Sequence, residues 1–286
     1  MAWQLTEDLG TYLAAAGGFL RARPAEHTIM LTAAEAIRAR GPGAFGGSAP
    51  LFGWHAAPDG TVSAAFLHTP PYPVVLTVMT ADQAAALAGE LAGRGRQAAG
   101  VNAALAPGAA FAAAWQERTG QAARTGMRTR LYALDALLPP DPPPPGQGRT
   151  ATAADRDLLL AWLHAFHAEV GPEGPNQTGR VVSDQIGYGG LILWEHEGRP
   201  VSVAGRNRAA AGQARIGPVY TPPGLRGHGY GGAVTAAVTQ AALDAGAEGT
   251  VLFTDLANPT SNTLYQRLGY RPLSDWAVLR FAAPTR

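Results

Sequence analysis

The stretch Arg226-Gly227-His228-Gly229-Tyr230-Gly231 decides the expected fold, because of what lies on either side of it. A strand-like run, residues 215–221, precedes the glycines, and an alanine-rich run, residues 232–245, follows them. A strand, a glycine loop and a helix start in this order expose backbone N–H groups at the positive end of a helix dipole. The stretch therefore predicts a phosphate-binding loop in an α/β domain.

An earlier stretch, Arg38-Ala39-Arg40-Gly41-Pro42-Gly43, has the same spacing of Arg and Gly but different neighbours. It follows a helix-like run, residues 33–40, and continues into Gly46-Gly47, so we expect a helix end and a loop there. A phosphate loop needs a strand before it and a helix after it. Only the later stretch meets that condition.

The composition narrows the classes of protein that the chain can belong to. With 286 residues it is long enough for two domains of ordinary size. Its net charge of +1 and 15% charged residues give no broadly basic surface, so no nucleic-acid partner is expected. The absence of cysteine excludes disulfides, thiolate metal sites and a cysteine nucleophile. All 22 basic residues are Arg, which excludes a P-loop lysine.

The sequence carries no sign of a membrane or metal partner. The first residues lack a basic leader, and the apolar stretch 13–20 is too short for a membrane span. His164 and His167 are three residues apart, but no third ligand is near them in the sequence. We expect a cytoplasmic monomer or homodimer that binds no metal and no membrane.

A proline-rich segment divides the chain into two halves. Residues 137–149 contain six prolines and two glycines, which favour an extended backbone and interrupt helices and central strands. We predict a first domain at residues 1–136, a linker at 137–148 and a second domain at 149–286. A proline-rich loop within one domain is the alternative.

The two halves have a similar predicted order of elements. The first has helices at 5–20 and 32–40, a hairpin of 51–54 and 61–67, then strand 73–79, helix 81–92, a strand near 101, helix 110–118 and a closing strand, 129–134. The second has helix 154–170, a polar connection at 171–188, a hairpin of 191–195 and 200–206, then strand 215–221, helix 232–245, strand 250–254, helix 261–268 and a closing strand, 276–281.

This shared order suggests an internal duplication, with Trp54 and Trp194 at corresponding places in the two hairpins. At the position of the glycine loop the first half has Met79-Thr80-Ala81-Asp82. Without glycines, and with an acidic residue where an anion would bind, the first half is expected to lack a phosphate site. The chain would then have one active site.

Three motifs in order carry a resemblance to a known family. They are the strand and loop 219–231, the segment Leu252 to Asn262, and Leu264-Tyr265-Gln266-Arg267-Leu268-Gly269-Tyr270. At these spacings they resemble the GNAT superfamily of acyl-CoA N-acyltransferases over residues 149–283. The first half resembles that fold only through its order of elements. The resemblance implies tandem GNAT-like domains of the α/β (α+β) class, each a mixed sheet flanked by helices with a central splayed parallel strand pair.

The resemblance also implies that acetyl-CoA is the cosubstrate. Glycine N–H groups at the helix start would bind its pyrophosphate, with a charge-assisted contact from the arginine. Backbone groups of the preceding strand would bind the pantetheine arm and the thioester carbonyl. The implied cofactor-binding residues are Val219, Tyr220, Thr221, Arg226, Gly227, His228, Gly229, Tyr230, Gly231, Asn258 and Ser261.

Two catalytic roles follow from the same resemblance. In the family, the tyrosine at the position of Tyr265 protonates the departing CoA thiolate, although packing within the helix would also explain this residue. Asn258 before Pro259 is also typical of a helix cap, and the cap and a CoA contact can coexist. For the general base, Glu169, Glu195 and Asp255 stay open, and Glu169 is the candidate that we retain.

The sequence thus predicts an N-acetyltransferase that acts on a primary amine of a small molecule or peptide by direct attack in a ternary complex. The alternative is a non-catalytic CoA-binding sensor or structural pseudoenzyme. The first half is expected to form a wall of the acceptor site or a dimer face.

Overall fold

The fold was determined from a computed structural model that describes residues 3–171 and 178–282. In the first part of the chain, helices and strands alternate in the order β1 (Trp3–Thr6), α1 (Leu9–Ala22), α2 (Thr28–Arg40), β2 (Leu51–Ala56), β3 (Val62–His68), β4 (Val74–Leu76), α3 (Ala81–Gly93), β5 (Gly100–Ala104), α4 (Leu105–Thr119) and β6 (Ala123–Leu134).

The second part continues with β7 (Gln147–Thr150), α5 (Arg156–Val170), α6 (Thr178–Gly187), β8 (Leu191–His196), β9 (Arg199–Arg206), β10 (Gln213–Tyr220), α7 (Tyr230–Asp244), β11 (Gly249–Asp255), α8 (Pro259–Arg267) and β12 (Tyr270–Phe281). In each part, two helices precede a hairpin that is followed by a β-α-β unit. The predicted similarity in the order of elements is confirmed. No helix in these described ranges combines the length and apolarity needed to cross a bilayer.

Two of the predicted elements need correction. The helix predicted from residue 5 is preceded by strand β1 and begins at Leu9, because the side chain of Asp8 accepts the N–H of Thr11 at 2.7 Å and caps the helix. The predicted connection 171–188 contains α6, whose residues Val182 and Gln185 are buried. Residues 172–177 of that connection lie outside the described residues.

The first compact unit contains the chain up to Arg130, together with Asp255–Ala257 and the residues from Ser274 onward. Its strands are ordered β1-β2-β3-β4-β5-β12, with only β4 and β5 parallel among these described pairs. Buried side chains of this sheet and of α3 and α4 form the core, including Phe66, Leu76, Leu87, Phe111 and Trp115.

The second compact unit contains Leu131–Thr254 and Asn258–Leu273. Its strands are ordered β6-β11-β10-β9-β8-β7, and β10 and β11 are the parallel pair. One core cluster includes Ile216, Val234 and Leu252, while a separate cluster includes Leu159, Val182 and Leu193. The unit is therefore layered, with α7 and α8 contributing to one cluster and α5 and α6 to the other.

The predicted closing strands do not close their own halves. Residues Trp276 to Arg280, expected in the second half, pair antiparallel with β5 in the first unit, and Phe281 stacks on Trp115 there with ring centroids 5.3 Å apart. Tyr132, expected in the first half, is fully buried in the core of the second unit. The alternation that marks a strand does not specify which sheet edge it joins, so the sequence did not indicate these partners.

This exchange means that the compact units are not continuous segments. The division at residues 1–136, 137–148 and 149–286 stays a prediction.

Candidate functional site

Strand β10 separates from its parallel neighbour part of the way along its length. Among the described residues, the parallel pairing runs from Gln213↔Gly249 to Ile216↔Leu252. Beyond an irregularity after Ile216, Val219 and Tyr220 pair only with β9, opposite Ala204 and Val203. The β11-facing edge of Val219 and Tyr220 is therefore open for an extended ligand to add backbone hydrogen bonds.

The glycine loop leads directly into α7, as predicted. Gly227 and Gly229 have φ values of +84° and +82°, a region that residues with a Cβ rarely adopt, and Gly229 is the residue at the helix N-cap. In the part of the chain that the structure describes, the backbone N–H groups of residues 227–231 donate to no protein acceptor. Five consecutive free donors at a helix start have the arrangement that suits a phosphate, and phosphate binding there stays a prediction.

The corresponding helix start in the first unit is closed by its own side chains. The Thr80 hydroxyl accepts the N–H of Gln83 at 3.2 Å, and the Gln83 side chain accepts the N–H of Thr80 at 3.0 Å. This capping box occupies donors that a phosphate would need. The earlier Arg/Gly stretch ends α2, with Gly41 at φ +78°, as the sequence predicts.

Arg226 at the start of the loop is paired with Glu169 at the end of α5. One guanidinium nitrogen, Nη2, lies 2.8 Å from both carboxylate oxygens, and Nε donates to the Thr221 carbonyl at 2.9 Å. Both side chains are nearly half exposed. An exposed pair of this kind is worth at most about 1 kcal/mol, so an incoming phosphate can compete for Arg226.

The proline-rich segment contributes to the site, which the sequence did not indicate. A Cβ built on Gly229 would lie 3.5 Å from Pro144, and the Pro145 carbonyl accepts the indole N–H of Trp194 at 3.0 Å. His228 donates through Nδ1 to the Arg226 carbonyl at 2.9 Å, and its ring stacks on Tyr230. Proline composition predicts an extended backbone but gives no information about what that backbone covers.

Tyr265 on α8 is buried in the core cluster that also contains Tyr230. Val219 is partly buried and packs against this cluster. Burial raises the pKa of the Tyr265 hydroxyl well above the ordinary value for tyrosine. Its hydroxyl has no hydrogen-bond partner among the described residues. A protonated, unpaired phenol is suited to donate its proton to a group that enters the site.

Asn258 and Ser261 have a structural role at the start of α8. The Asn258 side chain accepts the N–H of Ser261 at 3.0 Å, with Pro259 at the first helical position. This confirms the helix-cap interpretation. Contact of either residue with a cofactor stays a prediction, as does the cofactor contact of Thr221, whose hydroxyl bonds the Ser202 hydroxyl at 2.8 Å.

The three carboxylates considered as general bases all have partners. Glu169 binds Arg226, Glu195 binds Arg149, and Asp255 accepts the N–H of Ala257 at 2.9 Å. The geometry does not distinguish a base among them. Within residues 3–171 and 178–282, no group of three or more His, Asp or Glu side chains could hold a metal ion.

Together, the open strand edge and the free N–H groups belong to an α/β domain with a splayed parallel strand pair and a glycine loop at a helix start. Residues 157–270 match the model described as "Acetyltransferase (GNAT) family". This part of the chain is therefore a GNAT acetyltransferase domain, as the resemblance indicated, and the activity that its family supports is acyl or acetyl transfer.

Solved structures extend the fold similarity over the whole chain. A protein from Drosophila melanogaster has a TM-score of 0.70 and 13% identity, with 99% of each chain covered. A GCN5-related N-acetyltransferase from Sphaerobacter thermophilus has a TM-score of 0.62 and 17% identity, covering 97% of this chain and 95% of its own. A GNAT-family acetyltransferase from Colwellia psychrerythraea has a TM-score of 0.60 and 11% identity, covering 99% of this chain and 100% of its own.

At these identities the structures show a shared fold, and the fold extends over both parts of the chain. The tandem GNAT-like architecture predicted from the sequence is thereby confirmed. No curated protein matches the chain.

Proposed function

We propose that the protein is an N-acetyltransferase that transfers the acetyl group of acetyl-CoA to a primary amine. The observation that carries the proposal is the run of free N–H groups at residues 227–231, next to the open edge of β10. The N–H groups are suited to a pyrophosphate, and the open strand edge is suited to an extended arm that contains amides. Acetyl-CoA has both, in the same order.

The reaction would proceed by direct attack of the amine on the thioester carbonyl. The new bond joins the amine nitrogen to the acetyl carbon, the carbon–sulfur bond breaks, and the thiolate takes a proton. Tyr265 would supply that proton, because burial keeps its hydroxyl protonated and no group of the described residues hydrogen-bonds to it. The amine must lose a proton to a base, and we retain Glu169 in that role.

The experiment that tests this function is calorimetric titration with acetyl-CoA, combined with an assay of thiol release in the presence of amines. Gly229→Ala is expected to weaken acetyl-CoA binding about tenfold or more, because a Cβ at positive φ costs about 1–2 kcal/mol and displaces the N–H donors. Gly246→Ala is the matched control, since Gly246 has φ +88° and lies just beyond the other end of α7. It should lose similar stability but bind acetyl-CoA normally.

Three outcomes are informative. Absence of acetyl-CoA binding by the wild-type protein would refute the proposal. Binding without turnover on any amine would favour the CoA-binding sensor or structural pseudoenzyme. Equal weakening of acetyl-CoA binding by both glycine variants would mean that the loop acts only through stability.

Glu169→Gln tests the proposed base. If Glu169 accepts the amine proton, kcat should fall about a hundredfold, the usual scale of general acid–base catalysis. The KM for acetyl-CoA should change much less. Asp157→Asn is the control, because Asp157 lies on the same helix with its side chain 99% exposed. An unchanged kcat with a lower KM for acetyl-CoA would show that Glu169 only holds Arg226.

A further inference from the structure

Unpaired buried polar atoms concentrate at one place in the second unit. Four buried side-chain nitrogen or oxygen atoms among the described residues lack a hydrogen-bond partner, and three of them belong to Gln185, Arg206 and Asn207. Buried polar atoms are nearly always paired, and an unpaired group in a native fold indicates a missing partner such as a water or a ligand. This cluster does not include the glycine loop or Tyr265.

Arg206 is the central residue of this cluster. It is the last residue of β9, only 9% exposed, and its Nε has no hydrogen-bond partner. Its guanidinium lies over the ring of Tyr188, 5.7 Å from the ring centre, and no carboxylate of the described residues forms an ion pair with it. A buried cation without an anionic partner is costly, so the site favours an anion from outside the chain.

The surroundings of Arg206 hold it in place and add positive charge. The Tyr188 hydroxyl and the Gln185 side chain both donate to the Arg206 carbonyl, at 2.6 and 3.1 Å. The guanidinium of Arg208, an exposed residue, lies 4.2 Å from the centre of the Tyr188 ring. The carboxylate of Asp184 interacts electrostatically with Tyr188, and Asp184 is exposed on α6. The cluster therefore presents two arginines against one solvated carboxylate.

Arg206, at the end of β9, lies directly beside the point on β10 where the parallel strands part. Arg206 pairs with Ile216, and Ile216 with Leu252 is the last pair of the β10–β11 ladder described by the structure. Gly205, next to Arg206, lies close to β10. A Cβ built on Gly205 would be 3.0 Å from the carbonyl oxygen of Gly217. The glycine loop lies at the other end of the opening, after Tyr220. An acceptor bound beside Arg206 would therefore lie at the end of the opening where β10 and β11 are still paired. It would approach from the side away from the glycine loop, where we expect the phosphates of acetyl-CoA.

We propose that Arg206, supported by Arg208 and Tyr188, binds a carboxylate of the acceptor, so that the substrate is an amine that also carries a carboxylate, such as an amino acid. This inference rests on the proposed acetyl transfer. A guanidinium can present Nε and one Nη as a planar fork that matches the two oxygens of a carboxylate. The same positive cluster repels polyamines and other polycationic acceptors.

The test compares amines that differ only in the carboxylate, in the presence of acetyl-CoA. The pairs are phenylalanine with 2-phenylethylamine, tryptophan with tryptamine, and β-alanine with ethylamine, and phosphoethanolamine tests a phosphate in place of the carboxylate. We expect kcat/KM for at least one carboxylate-bearing amine to exceed that of its partner by about tenfold or more, the scale of a charge-assisted hydrogen bond. Phosphoethanolamine should be a poorer acceptor than β-alanine.

Variants assign the preference to the cluster. Arg206→Gln should raise the KM for the carboxylate-bearing amine about tenfold or more, with the KM for acetyl-CoA unchanged and the preference within the pair lost. Arg208→Gln changes an exposed side chain and should reduce the preference to a smaller extent, which keeps the test valid if Arg206→Gln does not fold. Arg199→Gln, at the exposed start of the same strand, is the matched control and should retain the preference.

The outcomes separate this inference from the proposed function. Failure to bind acetyl-CoA would refute the function itself. Normal acetyl-CoA binding with equal or better transfer to the amines that lack a carboxylate, or with no transfer to any carboxylate-bearing amine, would overturn the inference alone. A preference that survives in both Arg206→Gln and Arg208→Gln would also overturn it.

Discussion

Tyr265→Phe is expected to lower kcat about a hundredfold or more, the lower end of what a positioned general acid contributes, while the affinity for acetyl-CoA stays close to that of the wild type. Phenylalanine fills the same buried space beside Tyr270, so packing should survive the change. What the variant loses is a hydroxyl that has no partner among the described residues. Loss of an unpaired hydroxyl should cost little stability, so the effect should fall on turnover.

The pH dependence of the wild-type enzyme provides a second readout. Because burial raises the pKa of Tyr265, its hydroxyl keeps its proton throughout neutral and mildly alkaline pH. Ionisation of Tyr265 is therefore not expected to lower kcat between neutral pH and a pH of about 10, the ordinary pKa of tyrosine. Steady-state kinetics of thiol release between neutral and alkaline pH measures both effects.

Tyr270→Phe is the matched control for Tyr265→Phe. The Tyr270 hydroxyl bonds the hydroxyls of Thr239 and Thr250, at 2.7 and 2.9 Å, so its removal leaves these buried groups without their partner. This variant should lose about 1–3 kcal/mol of stability but keep kcat. If Tyr265→Phe instead lowers kcat and acetyl-CoA affinity by equal factors, Tyr265 is a packing residue and the proposed acid is wrong.

The features that the sequence predicted well are those specified by neighbouring residues. The loop 226–231 and the start of α7 follow from glycines at fixed spacing, two of which adopt left-handed backbone. The Asn258 cap follows from Asn before Pro. In each case the backbone conformation depends on residues within one or two turns, so a linear motif contains the information.

The features that the sequence did not predict depend on residues far apart in the chain. Pro144 beside Gly229, Tyr188 beside Arg206 and Trp276 opposite Ala104 are contacts that only the folded chain creates. Helix α6 is a different case, since buried Thr178, Val182 and Gln185 recur at helical spacing. That pattern was obscured by the glycines and polar residues around it.

The exchange of closing strands leads to the prediction with the largest effect on stability. A chain that lacks residues 1–135 should not fold into an active enzyme. It would lose Tyr132, which is fully buried in the core of the second unit and whose hydroxyl donates to the Asn262 side chain at 2.9 Å. It would also lose β5 and Trp115, which Trp276 to Phe281 contact in the first unit.

Point variants show whether Tyr132 accounts for this effect. Tyr132→Ala should lower the free energy of unfolding by about 3–5 kcal/mol, as expected for removal of a large buried aromatic side chain. Tyr132→Phe keeps the ring and removes only the hydroxyl, which donates to Asn262 and accepts from the Gln266 side chain, so it should cost about 1–2 kcal/mol. Chemical denaturation measures both values in the full-length protein.

A chain that begins at residue 121 separates the two contributions. It keeps all of β6, and therefore Tyr132, but still lacks β5 and Trp115. Without β5, the strand from Trp276 to Arg280 exposes unpaired N–H and C=O groups. We therefore expect this chain to aggregate, although the core of its second unit is complete. If the chain from residue 136 onward melts at the wild-type temperature and retains activity, the exchange of strands is not required for the fold. The same result would remove the first half from any role in the acceptor site.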